Sequence, residues 1–71
     1  MEPFALTHGT QVRTVSLEDD GCTIVITTTD TASPEVPAHV GYEVCESDAE
    51  AQAVLTKLVH DLERQGWTPL G

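Results

Sequence analysis

The segment SDAEAQAVLTKLVHDLERQG, residues 47–66, reads from both ends and through its interior as one amphipathic helix. Ser47 offers a hydroxyl that can accept from a first-turn amide, and Glu50, three residues on, can reach back to the amide of Ser47 as in a capping box. From there Ala51, Val54, Leu55, Leu58, Val59 and Leu62 recur at helical spacing. At 100° per residue they form an apolar arc roughly 140° wide. Lys57, His60, Asp61 and Arg64 occupy the other side. Gly66 suits the left-handed conformation that stops a helix, and Trp67 behind it can fold back on Leu62. The helix is therefore expected over residues 47–65.

Working outward, residues 38–45 feed straight into it as a strand, with Val40, Tyr42 and Val44 on one face and His39, Gly41, Glu43 and Cys45 on the other. Residues 30–37 carry Ser33-Pro34 and Val36-Pro37, which cannot continue a ladder and read as a loop. Before the loop, two strands are joined at Asp20-Gly21, a hairpin signal. Folding there sets Leu17 opposite Ile24 and Val15 opposite Ile26, so the large residues share a face. Residues 1–9 place Phe4 and Leu6 on alternate positions, interrupted by Pro3 and Gly9, and read as a short edge strand or a mobile arm. After the helix, Pro69 favours a packed tail over a very short further strand.

These elements make a single α+β domain over residues 1–71: an antiparallel three-stranded sheet, hairpin plus third strand, packed against one C-terminal helix. The expected core is Val15, Leu17, Ile24, Ile26, Val40, Tyr42, Val44, the six helix residues and Trp67. Thr and Ser, with Val12, Val25 and Gly41 among them, are left on the uncovered face. A core this small gives marginal stability, so dimerisation or a partner matters.

Charge is the most unusual property. Twelve Asp and Glu against three Lys and Arg give a net charge of −9. Such a chain cannot neutralise phosphates, which argues against direct binding of nucleic acid or an anionic membrane and in favour of a basic protein partner. Acidity also serves solubility, and proteins of salt-loving organisms carry a similar excess. Cys22 and Cys45 are too few for a disulfide framework and match no zinc spacing. With no signal-peptide pattern and no membrane-length apolar run, the reading is a protein of a reducing cytoplasm.

Chemistry-bearing residues are sparse. His39 and Cys45 share a strand face with Glu43, but lie about 20 Å apart along the strand, too far to share a metal. Cys22 is expected beside Ile24 on the core side. His60 belongs to the solvated helix face, and His8 has no evident partner. No GxSxG, Walker loop, HExxH or GxGxxG occurs, so neither an enzyme nor a cofactor or metal site is expected.

The acids remain. Asp48 and Glu50 suit the positive end of the helix dipole, and Asp20 belongs to its turn. Glu18, Asp19, Glu43 and Glu46 have no such local cause. A carboxylate array can occupy the arginines and lysines that otherwise hold phosphates. Glu18, Asp19, Asp20, Glu43 and Glu46 are therefore the candidate partner-binding residues. The alternative is a structural or assembly subunit that dimerises through the open sheet face.

Two resemblances bear on this. Val40 to Leu70, a strand, a helix and Gly66-Trp67, resembles a pattern in small bacterial domains ending in Gly-Trp and an apolar residue, which implies no activity. In size, acidity and simple α+β layout, the whole chain is similar to phage-encoded inhibitors of bacterial defence, anti-CRISPR proteins among them. That similarity implies an inhibitor that covers a basic nucleic-acid-binding surface.

Overall fold

A computed structural model describes residues 4–70. Five strands and one helix follow in the order β1 (Phe4–His8), β2 (Gln11–Leu17), β3 (Thr23–Asp30), β4 (His39–Val44), α1 (Asp48–Arg64) and β5 (Thr68–Pro69). All strand pairings are antiparallel, in the sheet order β4-β3-β2-β1-β5. The small α+β architecture expected from the sequence is present. The hairpin and third strand form β2, β3 and β4, and β1 and β5 widen the sheet beyond them.

The hairpin has the anticipated register, Leu17 level with Ile24 and Val15 with Ile26. Gly21 turns it with φ 74°, and the Gly21 N–H donates to Glu18 C=O at 2.9 Å. Phe4–His8 is neither an arm nor an edge. It lies between β2 and the two-residue β5, whose pairing with Leu6 and Thr7 is extended by the Leu70 N–H donating to Ala5 C=O at 2.8 Å. Pro69 is tolerated because β5 is outermost and needs no donor on its free side.

Both helix stops are built as their residues dictate. Ser47 is extended and its Oγ accepts from the Glu50 N–H at 3.1 Å. The Glu50 carboxylate reaches back one residue further than a capping box does and takes the Glu46 N–H at 2.7 Å. At the other end the Gly66 N–H donates to Glu63 C=O and the Trp67 N–H to Leu62 C=O. With Gly66 at φ 101°, this is a Schellman stop. It delivers Trp67, 8% exposed, into the same cluster as Leu62. Gly66 also lets the tail pass close to β1, since a Cβ there would stand 3.4 Å from the His8 ring.

The core comprises Leu6, Val15, Ile24, Cys45, Ala51, Leu55, Leu62 and Trp67, with Leu17, Ile26, Val54 and Leu58 against it. Leu6, absent from the expected core, is fully buried, while Val40, Tyr42 and Val44 are exposed. The reason is the register of β4 on β3, together with the width of the sheet. An α-helix is about 10 Å wide and strands are about 4.8 Å apart, so one helix shields two or three strands. With β1 inside the sheet, the covered floor is β1 to β3, and β4 falls outside it. Gly41 pairs with Ile26 and Glu43 with Ile24 on the helix side, so Val40, Tyr42 and Val44 stand beside Thr27, Val25 and Thr23 on the open face. Gly41, assigned from the sequence to the uncovered face, is thus on the other one. No helix among the described residues is long and apolar enough to cross a membrane.

Candidate interaction surface

Two segments of the chain bring several of its acids to one end of the molecule, while Asp30, Asp61 and Glu63 lie toward the other. The hairpin loop between β2 and β3 carries Glu18, Asp19 and Asp20, the link from β4 to α1 carries Glu46, and Asp48 opens the helix. The Cys45 N–H donates to Cys22 C=O at 2.9 Å, which sets the link directly beside the loop. Gly21 lies against Asp48, whose Cβ would be 3.7 Å from a Cβ built on the glycine. Glu43 stands on the helix side of β4, level with Ile24. All five residues expected to contact a partner, Glu18, Asp19, Asp20, Glu43 and Glu46, therefore belong to the same end, around the positive terminus of α1.

They differ in what already occupies them. The Asp20 carboxylate accepts from the Cys22 N–H at 2.8 Å, the Thr23 N–H at 3.0 Å and the Thr23 hydroxyl at 2.8 Å. These bonds, the one from the Cys22 amide foremost, hold its pKa below the ordinary carboxylate value. Glu50 is engaged with the Glu46 amide and Asp48 with the Ala49 amide. Among the described residues, no hydrogen bond engages the carboxylate of Glu18, Asp19, Glu43 or Glu46. Their carboxylates are exposed and free to meet a cation.

Cys22 and Cys45, separated in sequence, face each other where the β3–β4 ladder ends, and both are free thiols. Burial pushes the Cys45 thiol above its ordinary pKa, and the charges of Glu50 and Glu43 and the neighbouring Cys22 add to the effect. This is the opposite of what a nucleophilic or metal-binding thiolate needs. Among the described residues no three His, Cys, Asp or Glu side chains are grouped to hold a metal ion.

The cations lie elsewhere. Arg13 Nε donates to Thr28 Oγ1 at 3.0 Å, and its guanidinium sits 4.5 Å from the centre of the Trp67 ring. The same indole meets His8 at 5.4 Å between ring centres. Arg64 ends α1, near the β1–β2 turn and away from the hairpin loop. Between α1 and the uncovered part of the sheet runs an open groove of about 340 Å³, with Ile26, Leu58 and Leu62 in its floor and Arg13, Lys57 and Asp61 at its rim. Its lining holds no Ser, Cys or His.

The exposed row Val40, Tyr42 and Val44 is the part of the surface that sequence reasoning missed. One signal was available: apolar alternation at Phe4 and Leu6 as well as in the later strands supplies more apolar strand width than a single helix can cover. Compared with protein-family models, curated proteins and solved structures, the chain matches none.

Proposed function

We propose that this chain is a non-enzymatic interaction protein whose acidic end engages a basic surface of a partner protein, of the kind that otherwise holds nucleic acid, and blocks it. The observation that carries the reading is the gathering of Glu18, Asp19, Glu43 and Glu46, with unengaged carboxylates, around one end of the fold. Exposed carboxylates on two backbone segments can meet several arginines and lysines at once, and such a surface accelerates encounter with a cationic one. The resemblance in size and acidity to phage-encoded inhibitors agrees with this reading.

The test compares wild-type protein with Glu18→Lys/Asp19→Lys, both immobilised, for capture of nucleic-acid-binding proteins from cell extract at low and physiological salt. Asp20 is left intact because its carboxylate holds the turn. The reading requires that the wild type captures basic proteins, that duplex DNA or RNA competes for them, and that the reversal abolishes capture chiefly through the association rate. Capture that survives the reversal and ignores nucleic acid would remove the acidic end from the account.

A further inference from the structure

Among the described residues β4 is an edge strand of the sheet, six residues long against the two of β5 at the other edge. The Cys45 N–H to Cys22 C=O bond fixes the phase of the β3–β4 ladder. In an antiparallel pair the bonded positions alternate, so His39, Gly41 and Glu43 turn their N–H and C=O toward β3, while Val40, Tyr42 and Val44 turn theirs outward. These same three residues are 44%, 66% and 77% exposed. Edge strands are ordinarily blunted by lysine, proline or a bulge. From His39 to Val44 there is no lysine or proline and the register with β3 is unbroken; the one acid, Glu43, points to the helix side and would repel an edge partner unless a cationic or hydrogen-bonding group met it.

We propose that this edge is the docking site for a second copy of the chain, joined antiparallel about a two-fold axis at Gly41. The strand's own sequence is self-complementary in that register. Val40 faces Tyr42 of the second copy and Tyr42 faces Val40, both with outward backbone groups, so each is a hydrogen-bonded pair that is also an aliphatic–aromatic contact. On the helix side His39 faces Glu43 of the second copy, twice by symmetry, placing an imidazole N–H against a carboxylate. Gly41 meets Gly41 at the axis, a non-bonded position where backbones approach most closely and no side chain intervenes.

Charge sets the geometry as well. Glu18, Asp19 and Glu46 lie beyond the Val44 end of the strand, and antiparallel pairing carries the two acidic ends apart. The two Val44 residues are six positions apart along the paired strands, about 20 Å. That exceeds the screening length of about 8 Å at physiological ionic strength, so repulsion between the ends is weak there. The product is a continuous ten-stranded sheet with an acidic pole at each extremity. It stands whether or not Glu18, Asp19 and Glu46 bind a basic partner, and it takes Glu43 out of that surface.

Sedimentation equilibrium of the purified chain at physiological ionic strength tests this, with far-ultraviolet circular dichroism to verify the fold of each variant. The wild type is expected to dimerise between low and several hundred micromolar. Tyr42→Pro deletes an outward N–H but none used by the β3 ladder, and should be a folded monomer across that range. His39→Glu sets like charges opposite each other twice and should weaken association about ten-fold. Adding Glu43→Lys to His39→Glu should restore it. A wild type that is monomeric throughout overturns the proposal. So does a dimer indifferent to the charge exchange, a result that decides the matter even if Tyr42→Pro does not fold.

Discussion

Asp20 closes the β2–β3 turn with a single carboxylate that two amides and one hydroxyl share. Because those bonds favour the charged form, its folded pKa lies below the unfolded value of about 3.9, so its stabilisation is present above that value and lost as pH falls through the depressed one. Asp20→Ala should therefore lower the thermal midpoint at pH 7, and the gap to wild type should close on acidification toward pH 2 in melts followed by circular dichroism. Two aromatic residues that look alike in sequence part company in the fold. Trp67 is buried against Leu62, and truncation to Ala should cost about 3–5 kcal/mol, enough to unfold much of so small a domain. Tyr42 is 66% exposed, and Tyr42→Ala should change monomer stability by no more than about 0.5 kcal/mol in urea titrations. Trp67 was legible because Gly66 gave it a stated place in a helix stop. Tyr42 was not, because alternation shows that a strand has two faces without showing which one is covered.

At the level of elements, α1 and the β2–β3 hairpin could be read nearly residue by residue. Each is specified locally, by caps at spacing three, by helical recurrence and by a turn dipeptide. The strand β1 and its outer neighbour β5 could not, since their pairing joins positions more than sixty residues apart through registers such as Leu6 with Pro69. With β1 and β5 on the far side β4 becomes an edge, and its register with β3 turns Val40, Tyr42 and Val44 away from the helix. Amide hydrogen exchange should report the edge position directly. In dilute monomer the N–H groups of Val40, Tyr42 and Val44 should exchange quickly, while those of Gly41 and Glu43, bonded to β3, should be protected. Uniform protection along β4 would contradict its placement at the edge. The candidate acidic surface was legible as composition and as five named residues, but their convergence needed the Cys45 to Cys22 bond that no local pattern announces.

For the whole molecule the decisive quantity is a charge of −9 distributed unevenly, with seven of the carboxylates around the start of α1 and the guanidinium groups of Arg13 and Arg64 toward its end, where Asp61 and Glu63 also lie. Crowded like charges oppose compaction, and added salt screens them within about 10 Å at 0.1 M. The thermal midpoint should therefore rise as sodium chloride is raised from low millimolar to about 0.3 M, measured by calorimetry. A chain adapted to salt as such would be unfolded in dilute buffer, whereas one whose acids serve recognition would be folded there and merely less stable. The β1–β5 pairing bears on a different property, resistance to force. Leu70 lies beside Ala5, so tension applied through the two ends would load the bonds between these strands one after another, like a zip, instead of all together in shear. A chain fastened that way yields at low tension, and single-molecule pulling should find β5 peeling away before the hairpin beneath α1 gives.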